Sequence, residues 1–264
     1  MRVRQFVQDD AHIFCSPEQI EQEIDDFCAL LREVYAKFGF EDVSVALSLR
    51  PDDRAGDDAL WDHSEEVLQR CLDRFGAPYR VLPGEGAFYG PKLEFSLRDR
   101  HGRDWQCGTL QLDFILPERL DARYIDADNV AKVPVMIHRA ILGSFERFIA
   151  ILLEHHGVDL PLWVAPVQIA FVPVSDEFVD LAHELGRESG LRSEVMPADE
   201  SVSRRVRDAR ARGIVFVSVV GQKERDGDLM IRQGSEHFAI ARSEIGSVAQ
   251  RSSAGELIPR ESPD

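Results

Sequence analysis

The stretch "LPLWVAPVQIAF", residues 160–171, constrains the fold more than any other part of the chain, because the hydrophobic pattern differs on its two sides. Pro161 and Pro166 each fix φ and remove a backbone donor, so no regular helix or paired strand runs through this point. Upstream, strands and helices come in runs, which is the pattern of an α+β domain; downstream they alternate, which is the pattern of a small α/β domain. The chain is therefore expected to divide into residues 1–163 and 164–250, followed by an aperiodic tail, 251–264, expected to be disordered. A length of 264 residues suits two domains of ordinary size.

In the first unit, Ser16 as N-cap, Pro17 at the first helical position and Gln19 three residues after the cap predict a helix that ends at Gly39. Ile20, Ile24, Phe27, Leu31, Val34 and Phe38 recur at helical spacing and form its buried stripe. "DVSVALSL" alternates as a half-buried strand. A second helix is predicted over about 57–75, with Leu60, Trp61, Leu68, Cys71, Leu72 and Phe75 inward and Gly76 beyond its end. "KLEFSLRD" and "DWQCGTLQLDFIL", joined by "RHGR", read as an antiparallel hairpin. An apolar helix is predicted over about 135–155. In the second unit the expected order is a strand at 167–174, a helix at 176–189, a short strand near Ser193, an Arg-rich helix, the strand "IVFVSVV" and two short strands within "RDGDLMIRQGSEHFAI".

The formal net charge of −16 argues against indiscriminate nucleic-acid binding, which needs clustered cations. A local basic strip is still available in "SRRVRDARARG", where Arg204, Arg205, Arg207, Arg210 and Arg212 share one predicted helix; a solvated helix face is the plainer reading. No apolar run approaches the roughly 20 residues of a membrane span, and no secretion signal is visible, so the expected location is the cytoplasm and no membrane partner is expected. Cys15, Cys28, Cys71 and Cys107 are scattered without CxxC spacing and read as reduced core thiols.

Four stretches of the first unit carry polar groups where a plain core would not. In the opening stretch Arg2, Arg4, Gln8, Asp10 and His12 share one parity, so on a regular strand they face one side. "GEGAFYGPKLEF" offers three glycines, which allow close backbone approach to a ligand, together with Tyr89 and Lys92; it fits neither dinucleotide- nor phosphate-loop templates. "WQCGTLQLDF" places polar groups on both faces of an apolar strand, with Gln106 on one parity and Gln111 on the other, as a pocket wall does. "MIHRAILGSFERF" sets His138 and Arg139 before an apolar helix that carries Gly143, Ser144 and Arg147, and a buried arginine calls for an anion or a carboxylate. The residues alone lead to a pocket for a phosphate-bearing ligand and a small polar substrate.

Taken together these stretches resemble threonyl-tRNA synthetases, a family of class II aminoacyl-tRNA synthetases, over nearly the whole chain. "RVRQFVQDDAHIFC" looks like the second half of class II motif 2, with Arg2-x-x-x-Phe6, and "PVMIHRAILGSFERF" looks like motif 3, with Gly143-x-x-x-Arg147. The resemblance implies a partial antiparallel-sheet catalytic domain followed by an anticodon-binding domain. It also implies that Met1 falls inside the family's catalytic domain, so that motif 1, the first strand of motif 2 and the editing domain are expected upstream.

The resemblance further implies ATP-dependent activation of threonine and its transfer to tRNA(Thr). Arg2, Arg147 and Lys92 become the catalytic cations, with Arg2 and Arg147 on ATP phosphates, where a bidentate guanidinium is not replaceable by lysine. Gln111 takes the nucleotide as well, Asp10 accepts from the substrate hydroxyl, and Gln8, Tyr89 and Gln106 line the rest of the pocket. ATP is expected with Mg2+. Zinc is implied too, held by His12, His138 and a cysteine that is expected upstream of Met1. Arg204, Arg207 and Arg232 are the implied tRNA contacts, although residues 165–264 carry 13 Lys and Arg against 17 Asp and Glu, a net of −4. A separately encoded front half or a homodimer is the implied protein partner. The alternative is a noncatalytic synthetase-like paralogue that binds threonine, a nucleotide or a partner chain, or else a gene remnant.

Overall fold

A computed structural model of the chain describes residues 3–234 and 236–246. The chain separates into two compact units, Met1–His155 and His156–Asp264. In the first, Gln19 Oε1 accepts from Ser16 N at 2.9 Å, closing the expected capping box. A single 3-10 turn, Pro17–Gln19, leads into helix α1, Ile20–Lys37. Helix α2, Asp58–Phe75, starts on Asp57, whose carboxylate accepts from Leu60 N at 2.8 Å. The strands are β1 Ala11–Cys15, β2 Val43–Ser48, β3 Tyr79–Leu82, β4 Lys92–Arg98 and β5 Asp104–Asp113. Then follow a short helix α3 Leu116–Arg119, a small hairpin of β6 Tyr124–Ile125 and β7 Ala131–Lys132, strand β8 Val135–Ala140 and helix α4 Phe145–His156.

Six of these strands form one sheet in the order β1-β8-β5-β4-β2-β3, antiparallel except for the β2–β3 pair. Alternation decides its two faces. Leu93, Phe95 and Leu97 of β4 are fully buried on one face, where Phe27 of α1 and Phe75 of α2 both lie with ring centroids 6.0 Å from that of Phe95. Both long helices therefore cover this face. Buried apolar side chains at about 25 cal/mol per Å² supply the stability of the unit.

Several expectations need correction. The apolar helix expected over 135–155 is a strand, a turn and a helix. "VMIHRA" is too short a run for its periodicity to separate strand from helix, and Gly143 with φ 69° breaks any helix there. The opening stretch is not one strand either: β1 begins only at Ala11, and Gln8 makes an isolated bridge to Ser144, so its parity argument fails before residue 11. Strand β2 is covered on both sides, since Ala46 and Ser48 are buried along with Val45 and Leu47. The "GEGAFYG" glycines serve the fold: a Cβ on Gly86 would stand 2.6 Å from Leu49 O, and one on Gly90 would run into Leu112 O. They let this loop lie on the sheet backbone.

In the second unit β9 Ile169–Pro173, β10 Ser193–Val195, β11 Phe216–Val220, β12 Leu229–Gln233 and β13 Glu236–Ile240 form a sheet in the order β10-β9-β11-β12-β13. The first three are parallel, and the β11–β12 and β12–β13 pairings are antiparallel. Helix α5 Val179–Ser189 contributes to a core on one face with Phe171, Phe216 and Ile231. Helix α6 Val202–Ala211 contributes to a core on the other face with Val172 and Val217. A short helix α7, Gln222–Asp226, was not foreseen. The tail 251–264 lies outside the described residues.

Gly90→Ala is expected to destabilise the first unit by about 3 kcal/mol, as overpacking against backbone does. Gly84→Ala is expected to cost about 1 kcal/mol, because Gly84 has φ 83° but open space around it. Urea unfolding followed by tryptophan fluorescence measures both; equal losses would show that the Gly90 approach is not tight.

Candidate active site

The face of the first sheet away from α1 and α2 carries the polar groups. Ser48, Lys92, Gln111, His138 and His12 are register partners in succession across β2, β4, β5, β8 and β1. At about 4.8 Å between strands this row spans about 19 Å. Ala46, Glu94, Thr109 and Ala140 form the next row on the same face. Gln106 joins them through a register shift between Phe95 and Ser96, which makes Cys107 the extra residue and pairs Gln106 with Ser96. Without that bulge Gln106 and Gln111 would face opposite sides.

The row is internally bonded. Lys92 Nζ is 2.7 Å from Glu94 Oε1, which also accepts from Ser48 Oγ at 2.9 Å. Tyr89 Oη donates to Gln111 Oε1, and its ring lies 5.3 Å from that of His138. Burial, reinforced by the charge of Asp113, raises the Tyr89 hydroxyl above its ordinary pKa. His138 Nε2 is 2.8 Å from Asp113 Oδ2. The other Asp113 oxygen accepts from Ile115 N at 2.9 Å and Leu116 N at 2.8 Å, and the Asp113 side chain is wholly buried. The His12 and His138 rings meet edge to face with centroids 4.7 Å apart.

Beside the row lies a cavity of about 390 Å³ lined by Phe6, Gln8, Gln106, Thr109, Ser144 and Arg147, among others. Arg147 Nη1 donates to Gln106 O at 2.9 Å, while its Nε is buried without a partner. A guanidinium in this state has an unsatisfied donor and no carboxylate cancelling its charge among the described residues. A larger groove of about 450 Å³ lies against Glu21, Asp25, Arg70 and Arg74. Ion pairs already span it, Arg70 to Glu21 at 2.7 Å and Arg74 to Asp25 at 3.0 Å, so we read it as a solvated helix seam.

A family model described as tRNA synthetase class II core domain (G, H, P, S and T) matches residues 1–156. The chain belongs to this class II tRNA synthetase family. A second model, described as anticodon binding domain, matches residues 164–251. Threonine–tRNA ligases from Cupriavidus necator and Ralstonia nicotianae are 52% and 51% identical to the chain over 229 and 254 residues. These matches take in 86% and 95% of the chain but only 36% and 40% of those relatives, so the chain spans well under half of their length. Among solved structures, the RNA-binding domain of threonyl-tRNA synthetase from Cryptosporidium parvum is 34% identical with a TM-score of 0.89, covering 98% of this chain and 66% of that one. A putative threonyl-tRNA synthetase from Aeropyrum pernix is 28% identical with a TM-score of 0.79.

Of the residues expected at the site, Lys92, Gln111, His138 and His12 share one row, Tyr89 bonds to it, and Gln8, Gln106 and Arg147 line the cavity. Asp10 is exposed just before β1, and Arg2 lies outside the described residues. The two histidines do not by themselves fit a zinc centre, since His138 Nε2 is taken by Asp113 and no group of three potential ligands occurs among the described residues. The four cysteines are free and buried, as expected. Burial pushes the Cys107 thiol up to about 12 against the opposing effect of Arg147. The Arg-rich helix is largely committed: Arg205 is buried with Nε donating to Glu200 O at 3.0 Å. Arg204 and Arg212 pair with Glu200 and Glu194 at 2.6 Å. Arg207 is exposed, and Arg232 is half-buried on β12. No helix among the described residues is long and apolar enough to cross a membrane.

Glu94 and Asp113 were not foreseen. Their signal was present, since each stands two residues from an expected site residue on the same strand, Lys92 and Gln111 respectively, and so shares its face. Asp113→Ala is expected to cost about 3 kcal/mol of stability, because two backbone donors and an imidazole lose their acceptor. Asp10→Ala is expected to stay within about 0.5 kcal/mol. Denaturant titration of both variants checks the contrast.

Proposed function

We propose that the chain carries the substrate-reading half of a threonine–tRNA ligase. The observation that supports this best is the convergence on one sheet face of the Lys92–Gln111–His138–His12 row with the cavity that holds the unsatisfied Arg147. In this reading a threonine carboxylate oxygen attacks the α-phosphorus of ATP, pyrophosphate leaves, and a hydroxyl of the terminal adenosine of tRNA(Thr) then attacks the carbonyl as AMP leaves. Arg147, with Arg2, offers positive charge to the phosphates, while the Lys92–Glu94 pair presents a fixed dipole to the reacting groups. Gln111 contacts the nucleotide; Asp10 accepts from the threonine hydroxyl; Tyr89, Gln8 and Gln106 orient what lies between. Mg2+ enters with ATP and neutralises phosphate charge.

Zinc belongs to this reading only as a half-site. His12 and His138 would supply two ligands only if His138 Nε2 left Asp113, a third would have to come from outside the described residues, and no step of the reaction is routed through the metal. Arg204, Arg207 and Arg232 face tRNA, with Arg204 giving up its Glu200 partner. The partner that completes the site is a front half of the catalytic domain or a second copy. Strand β1 at the sheet edge, with Phe14 at 56% exposure, and the segment before it, with Phe6 and Val7 at 52% and 58%, support such a partner. The working compartment is the cytoplasm. A second reading, a noncatalytic paralogue that binds threonine or a nucleotide, is favoured by the incomplete histidine pair.

Threonine-dependent exchange of labelled pyrophosphate into ATP tests the proposal, with serine and valine as controls. The zinc-supplemented chain alone is expected to be silent and to gain exchange when mixed with the remaining part of a related ligase. Arg147→Ala is expected to lower the restored rate about 100-fold or more. Silence in the mixture, with threonine or ATP still binding to the chain, would favour the noncatalytic reading.

A further inference from the structure

Residues 7–9, just before β1, are tied to the turn that precedes α4 and to its first residues. Val7 N donates to both carboxylate oxygens of Glu146 at 3.1 Å, and Val7 O accepts from Phe145 N at 2.8 Å. Asp9 N donates to Gly143 O at 3.3 Å. The Asp9 carboxylate then gathers the three backbone donors of the β8–α4 turn: Ile141 N at 2.9 Å, Leu142 N at 3.1 Å and Gly143 N at 3.0 Å. From the other side Tyr35 Oη donates to Ile141 O at 2.6 Å.

This turn has direct consequences for the cavity. Gly143 sits so close to the β5 bulge that a Cβ there would stand 2.8 Å from Cys107 O. Two residues later α4 begins, and Arg147 N donates to Ser144 Oγ at 3.3 Å in its first turn. Gly143, Ser144 and Arg147 all line the cavity. Three N–H groups aimed at one carboxylate make charge-assisted bonds, the stronger kind, and hold a glycine turn that has no side chain of its own to fix it.

We infer that Asp9 is a positioning residue of this cavity: by bonding the amides of residues 141–143 it sets where α4 starts and hence where the Arg147 guanidinium stands. The inference deepens the proposed function, since Arg147 matters to catalysis only if the cavity takes ATP. Asp9 touches no substrate in this scheme. Its neighbour Asp10, singled out from the sequence, is the substrate-facing member of the pair.

The test uses the full chain and Asp9→Asn, which keeps size but turns one acceptor into a donor facing backbone N–H. Two readouts are taken together: Mg·ATP affinity by calorimetry, and the rate at which each of the four thiols is alkylated, resolved by mass spectrometry. The expected result is a loss of at least about tenfold in ATP affinity, with Cys107 labelled at least about tenfold faster and Cys15, Cys28 and Cys71 unchanged. If all four thiols speed up alike, Asp9 is merely structural and the inference falls. Unchanged Cys107 labelling or unchanged ATP affinity also overturns it. If the unaltered chain does not bind ATP, the proposed function fails at this cavity, and the selective Cys107 response alone decides for or against Asp9. If Asp9→Asn does not fold, amide exchange in the unaltered chain decides: slow exchange at Leu142 and Gly143 supports the clamp, and rapid exchange refutes it.

Discussion

The register of the first sheet is the constraint on which the rest depends. Side chains alternate faces with a period of two, so a one-residue slip of any strand exchanges its buried and ligand-facing sets. Were β8 displaced by one position against β5, Ile137 would replace His138 beside Gln111 and the imidazole would turn under the helices. Apolar packing against α1 and α2 forbids that slip, because Leu93, Phe95, Leu110 and Ile137 are all fully buried. The energy that fixes the site is thus spent on the opposite face. The single departure from alternation, the extra residue at Cys107, brings Gln106 to the same side as Thr109 and Gln111.

Much of this was legible in the sequence where periodicity and caps agreed. Ser16, Gln19 and the stripe from Ile20 to Leu31 define α1, and the β4–β5 hairpin follows from alternation around a glycine loop. The failures have physical causes. "VMIHRA" is a short strand between β1 and β5 whose Val135, Met136 and Ile137 are buried in succession, and such runs carry no period that separates them from helix. The opening stretch seemed regular because polar residues fell on even positions, yet Asp9, on an odd position, holds the segment's conformation through backbone donors far along the chain. No local pattern announces a carboxylate that bonds a turn in another element. The His12–His138 pairing likewise came from the family resemblance and not from spacing, since only the β1–β8 register makes them neighbours.

Charge is distributed in a way that favours local over general attraction to anions. The chain carries 31 Lys and Arg against 47 Asp and Glu, and Arg50, Arg70, Arg74, Arg98, Arg103, Arg212 and Arg242 are all engaged by carboxylates. Long-range steering of a polyanion is therefore weak, and salt screens what remains beyond about 8–10 Å. On the polar face of the first sheet and in the cavity beside it the balance differs. Lys92, in the row, is matched by Glu94, so that pair contributes orientation and little net charge. Arg147 is bonded to a neutral carbonyl, so its charge stays uncompensated in a partly desolvated place where it acts with less screening.

One of the two histidines and the open edge of the sheet lie on the same strand. His12 projects from β1, and among the described residues β1 is the edge of the sheet, paired with β8 alone. An added strand there would satisfy the open backbone groups and cover Phe14. It would also bring new side chains level with His12, at the spacing of about 4.8 Å that separates neighbouring strands. At the other histidine, Asp113 Oδ2 lies 2.8 Å from His138 Nε2 and fixes the orientation of the imidazole that the His12 ring meets.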